Sequence, residues 1–346
     1  MLAPMRFLVV FLLMAGTGFS QSFVGFIDGY FGYNFNKPSS RKNLYRNFDF
    51  NHSQFSLNYA ELAVEQKPGP VGFRADIGFG DAARSVHAAE PAGPDVYQYL
   101  QQVYLSAARG KVQVDFGKFV TPAGAEVIET KDNWNYSRSL LLALGIPYYH
   151  FGLRSTVTIN SKWTVAGFLV NGWNNVVDNN AGKTAGVQIV AKPLNGLTFT
   201  QSYMGGNELA DGNHARHLID SVVKLEVDSG LTLMANYDYG MDRQGGARVR
   251  WQGVALYAKV SPAPHFRISP RIEWFDDPQG FMTGTTQTLK EVTLSADFIF
   301  VENLLFRGEY RRDWSDHSVF EYSNLGTRAH QNTLALGLVY TYSKKK

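Results

Sequence analysis

The stretch VQVDFGKFV at Val112–Val120, the segment TPAGAEVIETKDNWNYSRSLLLALGIP at 121–147 and the resumption YYHFGLRSTVTI at 148–159 decide how this chain is read. In the first piece Val112, Val114 and Phe116 share one side, against Gln113, Asp115 and Gly117. In the last, Tyr149, Phe151, Leu153, Val157 and Ile159 oppose His150, Gly152, Arg154, Thr156 and Thr158. A period of two marks strands with one apolar and one polar face. The piece between them, taken as 119–148, is neither strand nor plain linker. A long ordered insertion between two strands is usually functional. It reads as a loop that narrows a pore.

The same alternation runs through the chain. Val71, Phe73, Ala75, Ile77 and Phe79 oppose Gly72, Arg74, Asp76 and Gly78. Phe266, Ile268, Pro270, Ile272 and Trp274 oppose Arg267, Ser269, Arg271 and Glu273. Leu304, Phe306, Gly308 and Tyr310 oppose Leu305, Arg307, Glu309 and Arg311. Leu334, Leu336, Leu338, Tyr340 and Tyr342 oppose Thr333, Ala335, Gly337, Val339 and Thr341. Two stretches are irregular: 55–65 changes parity midway, as at a bulge, and 163–170 is apolar on both sides.

Connections alternate in length. Short ones fall at 67–70, 109–111, 160–162, 193–196, 228–230, 261–265 and 301–303. Long ones fall at 36–53, 80–95, 119–148, 171–183, 205–217, 241–248, 276–287 and 315–329. Short turns at one end and long loops at the other are the signature of an outer-membrane barrel. The fold expected is all-β: a closed antiparallel transmembrane β-barrel of about 16 strands, with short periplasmic turns and long extracellular loops.

Composition agrees. Arg6, an apolar run over 7–15, and small residues at Gly18 and Ser20 read as a signal peptide over 1–20, leaving 21–346 as the barrel. The apolar run is too short to span a bilayer. Mean hydropathy is only −0.20, as suits a barrel with half its residues facing water. There is no Cys, so no disulfide or thiolate site is available. Net charge is +3 and interspersed, which leaves no nucleic-acid footprint. Aromatic girdles are expected from Trp163, Phe199, Tyr340 and Tyr342 at one rim. Phe79, Trp173, Tyr203, Tyr239, Trp274 and Trp314 are expected at the other.

The segment GKFVTPAGAEVIETKDNWNYSRS at 117–139, followed by IPYYHFGLR at 146–154, resembles the putative beta-barrel porin-2 (OmpL-like) family of bacterial outer-membrane proteins. NGWNNVVDNN at 171–180, PRIEWFDDPQGFMTG at 270–284, LKEVTLSADF at 289–298 and FRGEYRRDWS at 306–315 are similar too. The resemblance covers nearly the whole mature chain and implies a barrel and a porin in the bacterial outer membrane. It brings no substrate and no site residues.

A barrel of this size encloses water rather than a packed core. Its chemistry is then its lining: Arg74, Asp76, Asp115, Arg154, Arg267, Arg271, Glu273, Arg307, Glu309, Arg311 and Asp313. The loop contributes Glu126, Glu129, Asp132 and Arg138. Counted round the barrel, the loop leaves between the fifth and sixth strands, and the opposite wall lies between the thirteenth and fourteenth; the thirteenth carries Arg267 and Arg271 inward and the fifteenth Arg307 and Arg311. An acidic loop against a basic wall would set a transverse field across the narrowest point. Leu336 is assigned to the lipid face and Thr333 to the lumen.

Enzymatic motifs are weaker. Asn51-His52-Ser53 is a loose His/Ser arrangement, and Gly78–Ala83 fits a GxGxxA string with neither helix nor βαβ unit expected after it. His214 and His217 with Glu208 and Asp211 could hold a metal, and 178–182 is half a calcium loop. No catalytic residue, metal or cofactor is assigned. The function expected is an outer-membrane porin for passive diffusion of small hydrophilic solutes, with outer-membrane lipid as its surroundings and a homotrimer as a possible assembly. The alternatives are a barrel enzyme of lipase or protease type and a plugged structural or adhesive barrel.

Overall fold

The computed structural model describes residues 21–91, 93, 96–210 and 214–345; the signal-peptide reading of 1–20 lies outside them. Sixteen antiparallel strands close into a barrel. In chain order they are β1 (Gln21–Asn34), β2 (Gln54–Gln66), β3 (Val71–Phe79), β4 (Leu100–Arg109), β5 (Val112–Val120), β6 (Tyr149–Thr158), β7 (Trp163–Val170) and β8 (Thr184–Leu194). There follow β9 (Leu197–Asn207), β10 (Ala215–Glu226), β11 (Leu231–Gln244), β12 (Ala247–Ala263), β13 (Phe266–Asp277), β14 (Gln287–Val301), β15 (Leu304–Ser315) and, closing the barrel, β18 (His330–Lys345). A small hairpin, β16 (Phe320–Glu321) with β17 (Thr327–Arg328), sits in the last long loop. Closure pairs β1 with β18 from Ser22↔Lys345 to Asn34↔Thr333. Each sequential neighbour pairs as well, so no barrel strand is left with an open edge.

The alternation fixes the faces. Leu62, Leu105, Phe116, Leu153, Leu294 and Leu338 all stand outward and exposed, as a lipid-facing surface requires. The parity change in β2 is a bulge at Asn58: Asp28 pairs with Tyr59 while Gly29 pairs with Leu57. Before the bulge the odd residues Phe55 and Leu57 face out; after it the even residue Leu62 does. The two-sided greasiness of β7 also has a cause. Inward Ala166, Phe168 and Val170 pack with Phe119 and Met204 in an apolar cluster on the lumen side.

Two connections differ from the sequence reading. The expected long loop at 241–248 is a tight turn, because Gly245 and Gly246 take φ of 57° and 84° and let β11 and β12 run on to meet. The loop at 205–217 shrinks to 208–214 as β9 and β10 extend. Trp173 does not join a girdle. It is buried against Trp251 at 6.0 Å, with the Arg216 guanidinium 4.8 Å from its ring.

Candidate functional site: a loop docked inside the lumen

The segment between β5 and β6 turns inward and binds the facing wall through its own backbone. Polar atoms are costly to bury unpaired, and here wall side chains meet them. Arg307 donates to the carbonyls of Asn133 and Asn135, each at 2.9 Å, and Arg311 to that of Arg138 at 2.6 Å. Arg271 donates to the Ser137 carbonyl at 2.8 Å. In the opposite sense, Glu309 accepts from the amide of Ser137 at 2.9 Å, and Glu273 from that of Leu140 at 2.8 Å. On β1, Asp28 accepts the Tyr136 hydroxyl at 2.7 Å. Asn135 reaches the Ser269 carbonyl and the Ser295 hydroxyl, both at 2.8 Å.

The loop is also held to itself. Arg138 donates to the carbonyls of Val127 at 2.9 Å and Ile128 at 2.6 Å, and its guanidinium stacks 4.8 Å above Phe48. A helical turn at Leu141–Gly145 then places Leu140, Leu141, Leu142 and Ile146 in an apolar cluster with Trp251, Phe275 and Tyr148. Trp251 caps this turn by donating to the Gly145 carbonyl at 2.9 Å.

A second segment, the β1–β2 loop, packs on the first. Arg46 donates to Asp313 at 2.6 Å and to the Thr333 hydroxyl at 3.0 Å, and pairs with Asp49. Asn47 donates to the Ala143 carbonyl at 2.6 Å. Periodicity gave no hint of this second in-folded loop. Asp28, Trp251 and Arg46 were likewise missed, because each meets its partner from far along the chain.

The lining residues separate into two groups. Arg271, Glu273, Arg307, Glu309, Arg311 and Asp313 face the lumen but lie buried beneath the loop. Each arginine has a carboxylate beside it: Arg271 with Glu126, Glu273 and Glu291; Arg307 with Asp297; Arg311 with Asp313. The transverse field therefore does not arise as expected. Glu126 touches Arg271 at 2.8 Å instead of facing it across water. Glu129 lies on the other flank, near Glu61 and Asp76, where burial raises its carboxyl above the ordinary range. Asp132 is exposed and paired with its neighbour Lys131. The second group stays partly open. Its arginines are partly exposed over buried acids: Arg74 pairs with Asp76 at 2.9 Å on β3, and Arg154 of β6 with Asp115 of β5 at 2.7 Å. Arg267 sits near the periplasmic rim with no carboxylate in ion-pair range among the described residues.

The enzymatic motifs do not assemble. The His52 ring accepts the Asn34 amide at 2.8 Å, and Ser53 gives its amide to the Gly32 carbonyl. A short helix, α1 (Asp81–Val86), does follow the GxGxxA string, contrary to expectation, but the next strand is antiparallel and no βαβ unit forms. His217 bonds the Tyr203 hydroxyl at 2.8 Å, and Asp211 lies outside the described residues. No group of three or more His, Asp or Glu placed to hold a metal occurs among the described residues. Asp178 is occupied by Lys183 and by the Asn180 amide.

The family described as putative beta-barrel porin-2, OmpL-like, matches residues 20–342. No curated protein matches. Among solved structures, the chain is similar to an anion-selective porin from Comamonas acidovorans, with TM-score 0.64, 9% identity, and 93% of this chain and 100% of the other covered. It is similar to the outer membrane channel DcaP of Acinetobacter baumannii, with TM-score 0.64, 10% identity, and coverage of 93% and 97%. It is also similar to a trimer form of OmpT of Vibrio cholerae, with TM-score 0.61, 12% identity, and coverage of 93% and 99%.

Proposed function

The chain belongs to the putative beta-barrel porin-2, OmpL-like family, an outer-membrane porin family, and we propose that small hydrophilic solutes cross it passively along the wall opposite the docked loop. One observation carries this reading. Arg271, Glu273, Glu291, Arg307, Glu309 and Arg311 on β13–β15 are buried beneath the loop, whereas toward the short turns Gln113, Arg154, Thr156 and Thr200 on β5, β6 and β9 stay partly exposed; farther along β5, β7 and β9, Asp115, Phe168 and Met204 are buried. A polar, partly wetted strip beside a filled half is what a narrowed aqueous passage needs. Its pairs Arg74–Asp76 and Arg154–Asp115 are neutral as units, which suits uncharged polar solutes as well as ions. Catalysis has no support from the His52–Ser53 geometry, so the chain is read as a channel and not an enzyme. The trimer form of a structural neighbour supports a homotrimer, which cross-linking in detergent would register as a three-protomer band.

The test is purified protein in a planar bilayer, with liposome swelling in sugars alongside. Stable ohmic steps and size-dependent swelling are expected. Silence with lipid hydrolysis would support the enzyme, and silence in both assays a structural barrel.

A further inference from the structure

Resting on the reading of the lumen as a solute path, we propose that the periplasmic side of the constriction holds a binding site for small multivalent anions, carboxylates or phosphates. Lys224 of β10, Lys259 of β12 and Arg267 of β13 form it beneath Trp134 of the loop, with Lys192 of β8 at its edge.

The argument begins with which cations are already satisfied. Arg46, Arg74, Arg154, Arg216, Arg271, Arg307 and Arg311 each have a carboxylate in contact. Lys192, Lys259 and Arg267 have none in ion-pair range among the described residues. Arg267 shows why. Its register partner across the ladder is Asp297. Both Asp297 oxygens are taken by Arg307, at 2.6 and 2.9 Å, so Arg267 is left over. The charged groups around Lys259 are Arg267, Lys224, Glu226 and Asp297. Glu226 is the one carboxylate there not already held by an arginine. It pairs with Lys224 at 2.7 Å and lies near Lys259 and Lys192. Three lysines thus gather round one exposed carboxylate, and Arg267 stands beside an aspartate already held by Arg307. Like charges at this density repel unless counter-ions gather, and low-dielectric walls focus the resulting field into the lumen.

The loop supplies the roof. The Lys259 ammonium lies 5.1 Å from the Trp134 ring centroid, so the indole fixes its position. A recess of about 170 Å³ lies between Glu126, Asp132 and Trp134 of the loop and Lys224, Met234 and Tyr257 of the wall; Lys224 is the one of the four cations that lines it. At about 30 Å³ per water, that recess suits a phosphate or a short dicarboxylate. Its two loop acids are engaged elsewhere: Glu126 with Arg271 and Asp132 with Lys131. An entering anion therefore meets Lys224, whose one partner is the exposed Glu226, and carboxylates already occupied, while Lys259 is held against the roofing Trp134. A solute with two or three charges engages several cations at once, and a monovalent ion does not.

The experiment reads phosphate block and reversal potential in planar bilayers under a potassium chloride gradient. Phosphate is added to the chamber facing the short turns. In the wild type, phosphate should block, and chloride should permeate better than potassium. Changing Lys224→Gln, Lys259→Gln and Arg267→Gln together should weaken phosphate block roughly tenfold and lower the anion preference, with the loss larger at low salt. The single change Lys162→Gln, in an exposed periplasmic turn, should leave both unchanged. The charge-conserving set Lys224→Arg, Lys259→Arg and Arg267→Lys should keep the block; its loss there would overturn a charge-based site. A conducting wild type that phosphate does not block, or a triple variant with undiminished block, would overturn the inference and leave the channel reading standing. A wild type with no conductance would overturn the channel reading itself.

Discussion

Arg271 of the wall and Glu126 of the loop, far apart in sequence, meet at 2.8 Å with both side chains out of solvent. The same guanidinium gives its Nε to Glu291 at 2.7 Å and lies 3.0 Å from Glu273. One cation therefore holds three carboxylates and ties the loop to β13 and β14. Removing it should cost much more than one salt bridge, because a buried charge left without its partner is strongly destabilising.

Arg271→Met is expected to lower stability by about 3–5 kcal/mol and to free the loop, which raises single-channel conductance. Adding Glu126→Gln to that variant should recover part of the loss, since one orphaned carboxylate is then gone. Urea titration of the folded barrel gives the first quantity and bilayer recording the second. A variant as stable as wild type, with unaltered conductance, would mean that Arg271 does not anchor the loop.

The strand faces predict a contrast at two positions. Leu336 is 42% exposed on the outer surface. Leu336→Arg should impair insertion, because a charge at mid-bilayer costs roughly 2–4 kcal/mol. Thr200 is inward and partly exposed, so Thr200→Arg should fold and change conductance. Thr333, though inward, is no longer a permissive site. Its hydroxyl accepts from Arg46 at 3.0 Å and sits beside Arg311, so an arginine there would crowd two others. Equal folding defects from Leu336→Arg and Thr200→Arg would contradict the faces.

The barrel was legible because lipid and water impose their alternation locally, residue by residue. Val112 to Gly117 already show it. The parity break in β2 even marked the bulge at Asn58. The docking of the loop was legible only as a direction. Its partners Asp28 and Glu309 carry no local sign that they will meet Tyr136 or Ser137. A usable signal did exist. Arg307, Glu309, Arg311 and Asp313 alternate sign on one face, which is more paired charge than a wetted wall requires and suits a wall that must satisfy a backbone. Trp173 misled for the opposite reason: an aromatic at a strand end suits a girdle and a buried cluster equally.

Glu208 is expected to make the loop at 171–177 pH-sensitive. It accepts the Trp173 amide at 2.7 Å and the Thr184 hydroxyl, and burial pushes its carboxyl up to about 7. Arg216 opposes this shift and Asp242 adds to it. A carboxyl raised on folding favours the folded loop most when protonated. That stability is full below about 4.5 and is lost as pH climbs toward 7. Hydrogen exchange across 171–177, corrected for intrinsic rates, should therefore be slower at acid pH than in mild alkali. Glu208→Gln should flatten the difference. Equal protection in wild type on both sides of neutrality would remove Glu208 as the cause.

Deleting 127–140 gives the sharpest test of what the loop does to ion flow. The deleted segment is itself neutral, with Glu129 and Asp132 against Lys131 and Arg138. What changes is the wall it uncovers. Beneath it, Arg271, Arg307 and Arg311 are set among Glu273, Glu291, Asp297, Glu309 and Asp313, so carboxylates outnumber arginines. With the loop present, backbone amides of Ser137 and Leu140 donate to Glu309 and Glu273 and keep that excess out of contact with water. Without it, the excess faces water in a wider lumen. The deletion is expected to raise conductance and to move the reversal potential toward cations, more so at low salt, where screening is weaker. A larger conductance with unmoved selectivity would mean that the uncovered acids take up protons instead of counter-ions, and lowering the pH would then change nothing further. A conductance equal to wild type would place the loop outside the limiting cross-section, despite the bonds that hold it to the wall.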